Sequence, residues 1–362
     1  MQTPPLTKLL TLRAGPTAMT LIRKHGLRAE DVDVMPGASG GAKWLVLGGI
    51  DRYLFGDFLQ QPRTRALHCI GSSIGSWRMA CFAQRDPVAA LDRGHRAYIH
   101  EQRYSPKPSI REVTEVLTAA LDTLLGPSGV DDILAHPFVR LHVITAEGRG
   151  LAASERKLVL ALTLAIAAAA NVVSRKALTL QLRRSIFHSA GSETPFGTLA
   201  DFPTAHHQLT RANLRAALLA SGSIPLVLEG VVMPDTPGSV HWDGGVIDYH
   251  LDIDFGAGQG LVLYPHFYSH VIPGWFDKAL RWRRARVENF KRTLLIAPSE
   301  RFVASLPGGR IPDRQDFYAL KDEVRITRWQ QVLDRSAELG EELRELVATG
   351  RIADVLQPWA PE

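Results

Sequence analysis

The chain has 362 residues, enough for one large domain or two, and its 45% hydrophobic and 22% charged content is that of a folded globular protein rather than a disordered one. A net charge of +5 over this length is too small to imply a nucleic-acid partner. Two cysteines, Cys69 and Cys81, exclude a disulfide framework and a cysteine-rich zinc site, and with no His-Glu-x-x-His pattern present no metal or cofactor is expected.

Residues 1–31 form an N-terminal extension. Its opening, MQTPPLTKLLTLRAGP, lacks the charged-then-apolar layout of a secretory signal, so a cytoplasmic protein is expected. An exposed turn there leads to a helix, TAMTLIRKHGL, closed by Gly26.

Residues 32–310 carry short apolar runs alternating with helical stretches: DVDVM, RALHCI, VRLHVITA, RRSIFHS, VHWDG, GLVLYPHF and RTLLIAP. Several are apolar on both faces, as buried strands of a parallel sheet are, which predicts an α/β fold with a mostly parallel central sheet. The first strand runs into PGASGGAKWLVLGGIDRYLF, small residues followed by a long apolar helix. A Walker A loop would need glycine at Ala42 and Ser or Thr at Trp44, so a nucleotide loop is excluded. There remains a row of unhindered backbone amides at Gly40, Gly41 and Ala42, beside Lys43, suited to an anion or a developing oxyanion.

The second strand leads into GSSIG and then SWRMACFAQR, which is strand, tight turn and helix in order. Gly71 and Gly75 leave room for the sharp turn of a nucleophile elbow, which throws Ser73 out at a helix N-terminus. Gly37-Ala38-Ser39-Gly40-Gly41 fits the same G-x-S-x-G pattern, so the pattern alone does not choose between Ser39 and Ser73. Further on, LVLALTLAIAAAANVV, residues 158–173, holds only Thr163 and Asn171 as polar groups between ERK and SRK. It is too short to span a membrane and is expected as a helix buried against the sheet, the functional reading being a helix that lines an acyl-chain pocket.

NLRAALLASGSIPLVLEGV is an apolar helix that stops at Ser-Ile-Pro and turns back to the sheet, and HWDGGVI then ends a strand at Asp243, with Gly244 and Gly245 leaving its carboxylate uncovered. Residues 274–292, GWFDKALRWRRARVENFKR, set Trp275, Phe276 and Leu280 beside Arg281, Arg283, Arg284, Arg286, Lys291 and Arg292, as a solvated helix face or an interfacial helix on anionic lipid would. Residues 311–362 turn helical, with an apolar stripe at Ile326, Trp329, Leu333, Ala337, Gly340, Leu343 and Val347 that closes on the main domain or on a second subunit.

SGGAKW, then GSSIG about thirty residues on, then ALLASGSIP and DGG, in this order, resemble a patatin-like phospholipase over most of residues 31–249. The resemblance implies a three-layer α/β/α fold and a Ser-Asp dyad without a catalytic histidine: Ser73 as nucleophile, Asp243 as base, Ser39 in the oxyanion loop, and a lipid or phospholipid ester as substrate. The chain departs from the family pattern at Ser39 and Trp44, which stand for glycines, and after DGG, where Asp248, Tyr249 and His250 replace the usual asparagine and proline. Chemically the set predicts acyl transfer, with each oxyanion donor contributing about 3 kcal/mol, and a base whose pKa is raised by Trp242 and Val246. A Ser-Asp-His triad using His250, His266 or His270 is the competing mechanism. The competing functions are an esterase or acyltransferase on small or thioester substrates, and a silent lipid-binding protein whose oxyanion site is blocked by Trp44.

Overall fold

The computed structural model describes residues 8–191 and 194–359, so Pro4 and Pro5 of the predicted N-terminal turn lie outside the described residues. One sheet gathers β1 (Leu10–Ala14), β2 (Val32–Gly37), β3 (Leu67–Ser72), β4 (Val139–Gly148), β5 (Leu182–His188), β6 (Thr204–Gln208), β7 (Val231–Val232), β8 (Val240–Asp243), β9 (Leu261–Pro265), β10 (Thr293–Pro298) and β11 (Gln357–Pro358). The order is β11-β1-β10-β9-β2-β3-β4-β5-β6, with β8 on β4 and β7 on β8. From β10 through β4 every neighbouring pair is parallel. Every residue of β9 and β10 is buried, which accounts for their unbroken apolar sequence. The protein is therefore α/β, with a mostly parallel central sheet and flanking helices.

All seven strands read from the sequence are present, and three further readings are corrected. Residues 1–31 are not simply a helical extension: Leu10, Leu12 and Ala14 alternate into the core, and β1 pairs antiparallel with β10. That period-two pattern spans five residues and is easily overlooked beside the helix Pro16–His25 that follows it. The helix Lys157–Val173 is not buried against the sheet on all sides. Leu160, Thr163, Ala167 and Asn171 face inward, while Leu158, Leu162 and Ile166 are 80, 67 and 61% exposed. A helix apolar all round carries no periodicity to say which face is covered. Residues 274–292 are not a helix but two short 3₁₀ turns, Trp275–Asp277 and Val287–Phe290, joined by irregular chain. The Asp277 carboxylate takes the Gly274 amide and the Asn171 side chain, and Arg283 donates to the Asn171 carbonyl, so this segment is tied to the exposed helix.

The C-terminal stripe breaks at Ser336 into helices Asp322–Arg335 and Ala337–Ala348. It closes on its own domain, where a β-carbon on Gly340 would run into the Gly49 carbonyl of helix Gly48–Gly56.

The register of β4 sets up the site. β3 runs along β4 as far as Ser72 opposite Ile144, and β8 takes over from the other direction with Asp243 opposite Thr145. The two strands therefore meet end to end, and the residue after β3 faces the last residue of β8.

Candidate active site

Ser73 sits between β3 and the helix Ile74–Phe82 at φ 55°, ψ −133°. Few side chains other than glycine tolerate this region, and a residue held there marks a site where the surroundings enforce the strain. The surroundings are visible. A β-carbon on Gly75 would overlap the Gly37 carbonyl, and one on Gly71 would lie 2.5 Å from the Gly75 backbone, so β2, β3 and the helix approach each other as only glycine allows.

The segment ALLASGSIP braces both partners. The Ser73 amide donates to Ser221 Oγ at 2.9 Å, Ser221 Oγ donates to the Ile144 carbonyl at 2.7 Å, and the Asp243 amide donates to the Ser223 carbonyl at 2.8 Å. Ser73 Oγ then donates to Asp243 Oδ2 at 2.7 Å, and the Gly245 amide occupies the other oxygen at 2.7 Å. Gly244 and Gly245 are close-packed in turn: a β-carbon would meet the Ile144 carbonyl at the first and Ser39 Oγ at the second. Burial of Asp243 pushes its carboxyl up to about 6, against the opposing pull of the Ser73 and Gly245 hydrogen bonds and of Lys278. The acid is thereby tuned toward neutrality, where a general base works best.

Ser39 is differently placed. Its Oγ lies 2.5 Å from Ser72 Oγ, which donates to the Asp248 carbonyl, and its amide donates to the Tyr249 carbonyl. The Asp248 side chain is held by Arg184 at 2.6 and 2.7 Å, so the residues after DGG lock the base of the site. Among the described residues the Ser39 hydroxyl makes no hydrogen bond to a carboxylate, in contrast to that of Ser73.

Ser73 and Asp243 open onto a cavity of about 420 Å³, shared by Gly40, Gly41 and Lys43 and walled by Leu164, Ala168, Leu226, Trp275 and Phe276. Gly41 takes φ 54°, which favours glycine. Ala42, completely buried, is not part of the lining. Ser73 and Gly41 also border a second cavity of about 830 Å³, which contains Trp77, Leu117, Leu228 and Phe317. Trp44 is turned into the core against His95, with ring centroids 4.5 Å apart, and lines neither cavity, so it does not fill the space in front of the Gly40 and Gly41 backbone. None of the chain's histidines lines either cavity: His250 accepts from the Ile272 amide, His266 from the Tyr268 amide, and His270 stacks on Tyr268. The group bonded to Ser73 Oγ is Asp243 itself.

Sequence reasoning missed Lys278, whose ammonium lies 3.9 Å from the Tyr249 ring centroid and lines the first cavity, and Arg314, which lines both. The first was hidden in an arginine-rich run and the second in the C-terminal segment. No family model, curated protein or solved structure matches this chain.

The pH dependence follows in sign from Asp243. A base must be unprotonated, and this one holds its proton up to about pH 6. We expect the rate at which Ser73 reacts with an acylating reagent to rise about tenfold per pH unit below that value and to level off above it. A flat pH–rate profile from about pH 4 to 8, spanning the carboxylate range, would remove Asp243 as the base.

Proposed function

We propose that this chain is a patatin-like serine acyl hydrolase with a three-layer α/β/α arrangement, cleaving carboxylic esters of lipids or phospholipids. The observation that carries the reading is the 2.7 Å bond from Ser73 Oγ, on a strained strand-to-helix elbow, to a buried carboxylate of raised pKa. Asp243 takes the hydroxyl proton as Oγ attacks the ester carbonyl. The amides of Gly40 and Gly41, which line the cavity where Ala42 does not, stabilise the resulting oxyanion, collapse expels the alcohol with the proton returned from Asp243, and a water molecule repeats the cycle on the acyl-enzyme. No metal or cofactor enters this scheme.

The lipid part of the reading is supported by what surrounds the dyad. Leu164, Ala168 and Phe276 offer an alkyl chain an apolar wall. Nine of the twelve large exposed apolar side chains among the described residues lie in residues 151–180 and 275–282, the stretches that also supply Leu164, Ala168 and Phe276 to the cavity wall. Exposed Lys157, Lys176, Arg281 and Arg284 lie in or beside the same stretches of chain, a composition suited to peripheral contact with an anionic lipid surface. No helix among the described residues is long and apolar enough to cross a membrane. The reading puts the protein in the cytoplasm, where the buried thiols of Cys69 and Cys81 stay unpaired.

A series of soluble esters tests it. Each buried methylene contributes about 0.8 kcal/mol, so kcat/KM should rise about threefold to fourfold per added CH₂ over the first several carbons. A preference for acetyl esters, or for acyl-CoA over oxygen esters of equal length, would move the assignment to a small-substrate esterase or an acyltransferase.

A further inference from the structure

Three cations from distant parts of the chain converge on the cavity that holds Ser73 and Asp243: Lys43, Lys278 and Arg314. Two carboxylates, Asp243 and Asp313, line the same cavity, so the cations outnumber the acids there. Lys43 Nζ has one carboxylate oxygen, Asp313 Oδ2, at 3.8 Å, while among the described residues no carboxylate lies within ion-pair distance of Lys278 or Arg314. Other guanidiniums of this protein are matched closely, Arg78 with Asp51 and Arg184 with Asp248 and Asp201. Lys278 rests instead on the faces of Tyr249 and Trp275, a cation–π placement that leaves its N–H donors unused by any acid. Desolvation first, then repulsion from Lys43 and Arg314, pulls the Lys278 ammonium down to about 7 against the opposing pull of Asp243 and Asp313. Like charges gathered at the rim of one cavity repel one another and become favourable once an anion lies among them.

We propose that Lys43, Lys278 and Arg314 form a subsite for a phosphate group joined to the substrate's alcohol portion, so that the site selects phosphate-bearing esters over their neutral analogues. The assignment of this cavity to the substrate rests on the acyl-hydrolase reading. The chemistry favours phosphate over a carboxylate. A guanidinium fork matches two oxygens of one tetrahedral anion, two ammonium groups supply point charges for the rest, and three cations suit a group carrying up to two negative charges. The apolar wall of Leu164 and Phe276 borders the same cavity and receives the chain. The subsite therefore reads both ends of an amphiphile, an anionic head and an alkyl tail, within the cavity that holds Ser73.

Calorimetric titration of the full-length protein with hexyl phosphate, hexanol and inorganic phosphate tests this. Hexyl phosphate contains no carboxylic ester and is not consumed by the proposed reaction. The proposal predicts binding at least about tenfold tighter than for hexanol and than for inorganic phosphate, with Lys278→Gln and Arg314→Gln each weakening hexyl phosphate about tenfold. Arg314→Lys, which keeps the charge and removes the fork, should recover part of the loss. The same two glutamine variants should lower the ratio of kcat/KM for a phosphate-bearing ester over its neutral analogue by a similar factor. Equal binding of hexyl phosphate and hexanol, or glutamine variants that bind hexyl phosphate as wild type does, would overturn the subsite. Inorganic phosphate bound as tightly as hexyl phosphate would overturn its assignment to the substrate. Phosphate-dependent binding that the variants weaken, in a protein that hydrolyses no ester, would uphold the subsite and remove the hydrolase reading.

Discussion

Ser73→Ala and Asp243→Asn are each expected to lower kcat/KM for ester hydrolysis by at least about 10³-fold, because nucleophile and base act as one unit and removing either leaves only binding and oxyanion stabilisation. Their effects should not multiply: the double variant should be about as inactive as either single one. Asp243→Asn keeps an oxygen to accept from the Gly245 amide, so lost activity there reports lost proton transfer rather than a collapsed turn. It also has a stability signature. The folded carboxyl titrates near 6 against an ordinary 3.8, so folding holds the proton more tightly than the unfolded chain does. That contribution is fully present below about pH 4 and is lost as pH rises through 6, leaving the ionised carboxylate at pH 8 to cost about 3 kcal/mol. Asp243→Asn should therefore raise stability to urea at pH 8, with the gain shrinking toward pH 4. A gain that grew as the pH fell would contradict the assigned shift.

Gly75→Ala should be the most damaging single change to the fold. Its β-carbon would overlap the Gly37 carbonyl, which belongs to β2 beneath the elbow and has no side chain to swing aside. Moving either backbone displaces the strained Ser73 turn, and the expected cost is about 4 kcal/mol or more, at the extreme of single substitutions. Gly150→Ala supplies the contrast. At φ 55° it is left-handed, unlike Gly75, and nothing lies within 4 Å of its β-carbon, so it should cost only the conformational term of about 1 kcal/mol. Urea midpoints for the two variants separate these costs. Equal midpoints would mean that close backbone approach at the elbow is unimportant.

The elements that sequence revealed were those with a strong local signal. The buried strands β9 and β10 are unbroken apolar runs, and the glycines around Ser73, at Gly244 and at Gly245 stand where backbones touch. Dyad geometry was legible only as an ordered set of motifs, since the 2.7 Å contact between residues 170 positions apart depends on β3 and β8 meeting along β4. Features created by cross-strand register carried no signal at all. His68, His142, His188 and His206, one on each of β3 to β6, form a hydrogen-bonded row with ring nitrogens 3.0, 2.8 and 2.6 Å apart, though nothing in their spacing along the chain relates them. Lys278 and Arg314 were obscured for a similar reason, because neighbouring charges of the same sign hide the one that lines the cavity. The apolar helix Lys157–Val173 was legible as a helix, but which face would be left uncovered was decided by its packing partners.

Labelling the wild-type protein with a fluorophosphonate, followed by peptide mapping of the adduct, tests the central claim most directly, since the probe phosphonylates only a serine activated as a nucleophile. The structure predicts an adduct on Ser73, retained in Ser39→Ala and strongly reduced in Asp243→Asn. An adduct on Ser39, or a folded protein that takes no label at all, would contradict the Ser73–Asp243 dyad.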